Sequence, residues 1–348
     1  MNVDLFSRIE VTPPYFAFET LASEGDQVVA PIAPEQNRGG EESLMASAEV
    51  GRHLAILGSC ALAQMQAETG RFFYLAQEAT LVRLPASESA VRGPLQARAR
   101  ARHLTARDAS ATAELCNGQG QALFQLDVDY KVLRPAVFQK LYRAHHCPTP
   151  PSTRNPYLDN APLRVSALDA NGMEAYFGPV EPADCAGHFD DYPCLPVAIL
   201  MHTLSQAAGY YFALGLGLTA QDALSIGRAF YQVQKAHIRA HRLVFAGQAV
   251  RINVRPPRSY PSEDIPSDWA EMEVFASDPD TDEVFGSALM TLSPAPNAVL
   301  RKKPRSRRTF VPSVVYFNST SVDGDALWAE QPLPAEALQD KDTADAPA

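Results

Sequence analysis

Two stretches of the chain are apolar on nearly every face and are rich in alanine and glycine. They run from about Leu44 to Glu68 and from about Pro196 to Leu214. A helix that is apolar all round is normally enclosed by other structure and does not lie on a surface. The pattern therefore predicts two long buried helices, one in each half of the chain.

Before and after each helix, β-branched or aromatic residues alternate with polar ones, which is typical of β-strands. In the first half the predicted strands are Tyr15–Thr20, Gln27–Ile32, Arg71–Leu84, Leu95–Thr105, Ala111–Cys116 and Gln121–Tyr130. In the second half they are Leu163–Leu168, Met173–Pro179, Ala229–Ala240, Ala249–Arg255, Trp269–Ala276 and Val284–Leu292. Two strands, a helix and four strands thus occur twice, which predicts an α+β protein built from a repeat.

The repeat also predicts how the chain divides. We expect an N-terminal domain over residues 1–142, a linker rich in Pro, Ser and Thr over 143–160, and a C-terminal domain over 161–297. Residues 298–348 are predicted to form a basic linker, with RKKPRSRR at 301–308, and a disordered tail. Pairing of the two domains would cover the open sheet edge and the exposed apolar face that each would have alone.

Composition narrows the class of protein. The chain is 46% hydrophobic with a formal net charge of −10, which favours a soluble protein that binds neither nucleic acid nor anionic membranes. No apolar run approaches the roughly 18 residues that span a bilayer. We see no secretory signal at the N-terminus, and the five cysteines form no CxxC pair, so we expect reduced thiols in a cytoplasmic protein.

The stretch GHFDDYPCLPVAILMHTLSQAAG, over 187–209, carries the clearest chemical signal. It resembles the signature of bacterial 3-hydroxyacyl-(acyl carrier protein) dehydratases, a hotdog family. The residues that match without a gap are Gly187, His188, Phe189, Pro193, Pro196, Gln206 and Gly209. The resemblance covers about 163–296 and implies a double hotdog, in which two antiparallel sheets are each wrapped around a long central helix. For the first half it depends only on the order of the helix and strands.

The resemblance also implies a site. In the family, the histidine of GHF takes the α-proton of a 3-hydroxyacyl thioester. A Glu or Asp fourteen residues later on the central helix protonates the departing hydroxyl across the dimer interface. The thioester carbonyl lies at the helix N-terminus, where free N–H groups stabilise negative charge. His188 is then the base, and the substrate-binding candidates are Gly187, Phe189, Pro196, Val197 and Gln206.

The chain departs from the family at the acid position, which is occupied here by His202. Gln64 and Gln206 have similar sequence settings 142 residues apart, and aligning the two helices on them adds Gln64 to the binding candidates. This alignment places Cys60 opposite His188, so His202 and Cys60 join His188 as catalytic candidates.

Other acids for this position stay open. A different register of the first helix would bring in Glu49 or His53, and Asp184, Asp190 or Asp191 near His188 could replace the missing carboxylate.

The leading functional hypothesis is a dehydratase-like enzyme acting on a 3-hydroxyacyl thioester of acyl carrier protein or coenzyme A, in fatty-acid, polyketide or related biosynthesis. The alternatives are a hotdog thioesterase and a non-catalytic acyl-thioester-binding or scaffold protein.

We expect no metal, and no cofactor beyond the phosphopantetheine of the substrate. Whether the whole chain forms a homodimer stays open. Phe230, Tyr231 and Tyr211 are expected to form the floor of the acyl pocket.

Overall fold

The computed structural model describes residues 4–16, 18–85, 94–148, 155–169, 171–216, 229–256 and 268–296, together with the backbone of 313–316 and 329–332. In this part of the chain the α-helices are α1 (Ser47–Met65), α2 (Pro135–Leu141) and α3 (Val197–Gly215). The two long helices, α1 and α3, lie where the apolar pattern predicts them. None of the described helices is long and apolar enough to cross a membrane.

The strands follow the predicted repeat. In the first half they are β1 (Ala22–Glu24), β2 (Gln27–Ile32), β3 (Phe73–Arg83), β4 (Leu95–Leu104), β5 (Asp108–Cys116) and β6 (Ala122–Leu133). In the second half they are β7 (Leu163–Asp169), β8 (Gly172–Phe177), β9 (Cys194–Leu195), β10 (Tyr231–Ala240), β11 (Val244–Phe245), β12 (Val250–Val254), β13 (Ala270–Ser277), β14 (Val284–Pro294), β15 (Ser313–Tyr316) and β16 (Ala329–Pro332).

The two halves share one sheet. The described strands, apart from the β9–β11 pair, form a continuous antiparallel sheet in the order β1-β2-β4-β5-β6-β3-β10-β14-β13-β12-β8-β7-β15-β16. The prediction of two sheets is therefore not confirmed, because β3 of the first half pairs with β10 of the second and makes the sheets of the two halves continuous. Val82 lies opposite Lys235 and Glu78 opposite Arg239 in this pairing. It satisfies the backbone groups that two separate edges would have left open.

Each long helix is enclosed by its half of the sheet. Leu54 and Leu57 of α1 are completely buried, as are Leu204 and Ala207 of α3. The core is accordingly divided between the two halves, and α1 and α3 also pack against each other. This contact between the helices brings residues of both halves into one site.

Three segments differ from their predicted structure or lie outside the described residues. The described residues of 15–20 form no strand, and β1 follows them instead. In the predicted linker, Tyr157 and Asn160 are buried. The basic run at 301–308 lies outside the described residues, and β15 and β16 add to the sheet next to β7.

Candidate active site

The starts of the two long helices fix how the halves correspond. Since α1 begins at Ser47 and α3 at Val197, equivalent helix positions are 150 residues apart. The loops before the helices agree with this spacing, because Gly39 and Phe189 have nearly the same positive φ, 57° and 58°. The alignment by 142 residues on Gln64 and Gln206 is therefore displaced by eight residues, so it does not pair equivalent positions.

His188 lies in the loop before α3 and is held on several sides. Its side chain is 8% exposed, and Nδ1 lies 2.9 Å from the carbonyl oxygen of Cys194. The ring stacks on Phe189 with centroids 4.0 Å apart, and the ring of Tyr15 meets it at 5.0 Å in an edge-on arrangement. The loop can turn this way because Gly187 and Phe189 both have positive φ.

The contact with Cys194 defines the form of the imidazole. A carbonyl oxygen only accepts hydrogen bonds, so Nδ1 carries the proton and Nε2 of the neutral ring has its lone pair free. Burial lowers the pKa of His188 to about 4, and the bond to the Cys194 carbonyl opposes that shift. At neutral pH the ring is therefore neutral and has the correct tautomer to accept a proton at Nε2.

A cavity of about 200 Å³ lies beside His188 and extends between the two helices. His188, Phe189 and Val197 are the predicted site residues that line it. The lining includes equivalent positions of α1 and α3, namely Ser47 and Val197, Ala48 and Ala198, Gly51 and Met201, and Ala55 and Ser205. The α1 side is formed by smaller side chains, because Gly51 corresponds to the larger Met201.

The first turns of the two helices present different groups to this region. Val197 and Ala198 begin α3 along the cavity wall, and no side chain of the N-cap residue Pro196 bonds to this turn. At α1 the backbone N–H of Ser47 donates to both carboxylate oxygens of Glu41, at 3.1 and 3.2 Å. Since the first N–H groups of a helix have no partner within the helix, they attract negative charge. A carboxylate already serves this purpose at α1.

The helix position of the family's acid is occupied by a cation in the first half. His202 is the sixth residue of α3, and its equivalent on α1 is Arg52, which is fully buried. Arg52 Nη2 lies 2.5 Å from Glu35 Oε1 and 3.8 Å from Glu49 Oε1. The pKa of an arginine is too high for it to donate a proton as a general acid.

His202 itself lies among amides and is not part of the cavity lining. Its Nε2 lies 2.5 Å from Asn160 Oδ1 and 2.9 Å from Gln206 Nε2. Burial lowers the pKa of His202 to about 4. The structure thus brings His202 and Gln206 together with Asn160 and separates them from the cavity beside His188.

The remaining predicted residues are placed as follows. Cys60 is completely buried in the core of the first half, where burial raises the pKa of its thiol, and it does not line the cavity. Gln64 is exposed near the end of α1 and bonds to Ser23 Oγ. Gly187 packs against the N-terminal segment, since a Cβ there would lie 2.2 Å from the carbonyl oxygen of Thr12. Pro196 is the N-cap of α3.

The residues that were expected to form the floor of the acyl pocket lie elsewhere. Phe230, Tyr231 and Tyr211 do not line the cavity. Residues of the first half that include Ser59 and Tyr130 line it instead. The Tyr130 hydroxyl donates to the Ala55 carbonyl oxygen at 2.7 Å.

In the described part of the chain, one group of side chains has the spacing of a metal site. Single ligand atoms of Glu35, Glu49 and His53 lie within 4.8 Å of one another. Glu35 already bonds to Arg52, and Glu49 Oε1 accepts from the backbone N–H of Glu35 at 2.7 Å. A metal ion here would face the buried guanidinium at close range, so this group fits a buried ion-pair network better than a metal centre.

Sequence reasoning missed Tyr15, Glu41 and Arg52. Aligning GHFDDYPCLPV with NRGGEESLMAS, at an offset of 150 residues, is the signal that would have found the last two. Tyr15 has no such signal, because its contact with His188 joins residues far apart in the chain.

No protein family matches the sequence, and no curated protein matches it. Several solved structures are similar to it. The tesB protein of Mycobacterium avium subspecies paratuberculosis has 12% identity and a TM-score of 0.46, over 79% of this chain and 96% of that one. A protein of unknown function with a hot dog fold from Alicyclobacillus acidocaldarius has 9% identity and a TM-score of 0.46, over 82% and 99%. The 12:0-ACP thioesterase from Umbellularia californica has 7% identity and a TM-score of 0.45, over 82% and 100%. None of these similarities identifies the activity of this chain.

Proposed function

We propose that this chain is a double hotdog that binds an acyl thioester of coenzyme A or acyl carrier protein in the His188 cavity and hydrolyses it. The observation that carries the proposal is the bond between His188 Nδ1 and the Cys194 carbonyl, which leaves Nε2 as a proton acceptor beside an apolar cavity. A histidine held in one tautomer by its other nitrogen is the usual arrangement of a general base.

The residues present suit attack by water. His188 Nε2 accepts a proton from the water as its oxygen bonds to the thioester carbon, and the C–S bond then breaks. The first turn of α3 supplies backbone N–H groups for the carbonyl oxygen, which gains negative charge in this step. The low pKa of His188 makes it a weak base, but the Cys194 carbonyl stabilises the imidazolium as it forms.

Hydrolysis fits the site better than loss of water does. A thiol has a pKa near 8.5, so a thiolate leaves without an acid. Hydroxide is a far poorer leaving group, because the pKa of bulk water is about 15.7. The family's acid position is occupied by Arg52 on α1 and by His202 on α3, and neither of these side chains nor Cys60 lines the cavity. The dehydratase hypothesis therefore stays a prediction without an acid at the family's position, and no cofactor is needed for the hydrolysis that we propose.

The test is a panel of saturated and 2-enoyl thioesters of coenzyme A, followed by mass spectrometry of the products. Mass spectrometry is preferable to a thiol reagent because Cys147 is an exposed thiol that forms no disulfide and would react with the reagent. We expect free acid from the wild type, and a loss in kcat of roughly 100-fold or more for His188→Ala. His103→Ala, an exposed histidine of β4, is the matched control.

The other outcomes select the alternatives. Hydration of the 2-enoyl thioester that depends on His188, with no free acid, would replace hydrolysis with the dehydratase hypothesis. Saturable binding of acyl thioesters without any turnover would overturn both in favour of an acyl-thioester-binding protein.

A further inference from the structure

The N-terminal segment of the first half crosses to the loop that carries His188. We call residues 9–16 the strap. Ile9 forms a bridge with Phe72, directly before β3, and Val11 forms an antiparallel bridge with His188. The backbone N–H of Thr12 donates to the Gly187 carbonyl oxygen at 2.8 Å. The strap thus joins the edge of the first half to the catalytic loop of the second.

The close approach of strap and loop depends on a glycine. Gly187 has a φ of 75°, and a Cβ there would lie 2.2 Å from the Thr12 carbonyl oxygen. A side chain at this position would be strained by the backbone conformation and would also push the strap away. Gly187 therefore allows the strap to pack directly against the loop that carries His188.

Tyr15 is the residue through which the strap reaches the imidazole. It is 6% exposed, lines the cavity, and meets the His188 ring at 5.0 Å with an interplanar angle of 74°. Tyr15 also contacts a second tyrosine and a buried arginine. Tyr157 lies 5.2 Å away, and the Arg52 guanidinium carbon lies 5.8 Å from the Tyr15 ring centroid. Tyr15 is consequently fixed between the buried Arg52 network and the active-site histidine.

We propose that the Tyr15 ring is a positioning residue of the His188 site, holding the imidazole against the Cys194 carbonyl and excluding water from that side. The proposal builds on the function proposed above, since it assigns the first half a part in the same site. The ring, and not the hydroxyl, performs this task, because the observed contact is the edge-on packing of two rings.

The groups that surround His188 determine how a substitution of Tyr15 would change the pKa of the imidazole. Phe189 stacks on one side, and the Cys194 carbonyl and thiol lie 2.9 and 3.5 Å from Nδ1. Tyr15 faces another side, with Arg52 behind it. Burial is the main cause of the low pKa of His188. Removing the Tyr15 ring admits water and so raises that pKa toward its ordinary value.

The experiment compares Tyr15→Phe with Tyr15→Leu and follows the His188 imidazole by NMR titration without substrate. In Tyr15→Leu we expect the His188 pKa to rise by about one unit or more. We also expect kcat to fall roughly 10-fold, with KM little changed, because the base is less well placed. Tyr15→Phe keeps the ring and should keep both values close to the wild type. Tyr176→Leu, on the distant strand β8, is the control and should leave the titration unchanged.

A second variant reaches the same contact from the other side. Gly187→Ala should displace the strap and raise the His188 pKa in the same direction as Tyr15→Leu. It also keeps the proposal testable if the Tyr15→Leu protein does not fold. An unchanged titration in both folded variants would overturn the proposal, and so would an equal loss of kcat in Tyr15→Phe and Tyr15→Leu. Because the titration needs no turnover, it stays informative even if the chain proves not to hydrolyse thioesters.

Discussion

The loops that precede the two long helices have two backbone features in common and differ in the side chains that they carry. Arg38 and His188 occupy equivalent positions, and each bonds to a carbonyl of its own loop, at Ser43 and Cys194. The following residues, Gly39 and Phe189, have almost the same φ. The two loops therefore have the same backbone conformation at this residue but different side-chain chemistry beside it, since a neutral histidine accepts a proton at neutral pH and an arginine does not.

The same contrast recurs on the helices. Arg52 on α1 corresponds to His202 on α3, so at both positions an arginine of the first half matches a histidine of the second. Glu41, in the loop before α1, corresponds to Asp191. Glu41 is 1% exposed and bonds to Ser47, whereas Asp191 is exposed. At these positions the first half thus has charged side chains, of which Arg52 and Glu41 are buried, where the second half has two neutral histidines and an exposed aspartate.

The largest effect of this difference should be on stability at acid pH. His188 and His202 each have a pKa of about 4 in the folded protein, against about 6.5 when unfolded. Between these values the unfolded chain binds more protons, so the free energy of unfolding falls as the pH drops from 6.5 to 4 and levels off below. Each histidine contributes about 3 kcal/mol to this fall. The equivalent arginines contribute none.

Urea unfolding at a series of pH values measures this fall. His188→Asn and His202→Asn should each make the free energy of unfolding depend less steeply on pH between 6.5 and 4 than in the wild type. The carboxylates titrate in the same range in all three proteins, so their contribution cancels when the variant is compared with the wild type. A wild-type slope that both variants reproduce would contradict the assignment of this part of the pH dependence to His188 and His202. His53 of the first half, whose pKa is also lowered by burial, contributes in the same direction in all three proteins.

A smaller effect is expected from the buried carboxylate. Glu41→Gln removes the negative charge beside the first turn of α1 and beside Arg83, whose Nη2 lies 3.6 Å from Glu41 Oε1. Breaking this buried ion pair should lower the free energy of unfolding by about 3 kcal/mol. Asp191→Asn, at the equivalent exposed position, should change it by less than about 0.5 kcal/mol. Equal effects of the two substitutions would show that the loops are not as different as the structure indicates.

The smallest effect concerns the width of the cavity. A Cβ at Gly51 meets nothing within 4 Å, so Gly51→Met can fill the α1 side and make it like the α3 side at Met201. We expect roughly 10-fold weaker binding of long-chain acyl thioether analogues and unchanged binding of short ones, because the methionine occupies the space of several methylene groups. Met201→Ala is the matched variant, which should widen the other side. Calorimetry with analogues of different chain length measures both, and a uniform loss at every length would mean that the chain does not lie along α1.

The sequence predicted the two helices and most strands to within a few residues, because their periodicity reflects burial by the elements next to them in the chain. It also pointed to His188. The relation between the halves was harder, since Gln64 and Gln206 look alike only in their nearest neighbours. Gln64 is exposed beside Ser23, whereas Gln206 is buried beside His202. Local similarity of sequence did not reflect similarity of environment.

Long-range contacts account for the rest of what was missed. The β3–β10 pairing joins residues about 155 positions apart, and the strap joins Val11 to His188. Neither leaves a periodic pattern, because the pairing partner is chosen by the fold as a whole. The continuity of the sheet across the two halves and the absence of a strand in the described residues of 15–20 are the parts of the fold that the sequence pattern did not predict.

The continuous pairing of β3 with β10 has a consequence for attempts to shorten the chain. The first half has Arg38 where the second has His188, yet it provides α1, Tyr15 and the small residues along the cavity. The second half alone would keep His188 but would lose one wall of the cavity beside it, together with the strand that pairs with β10.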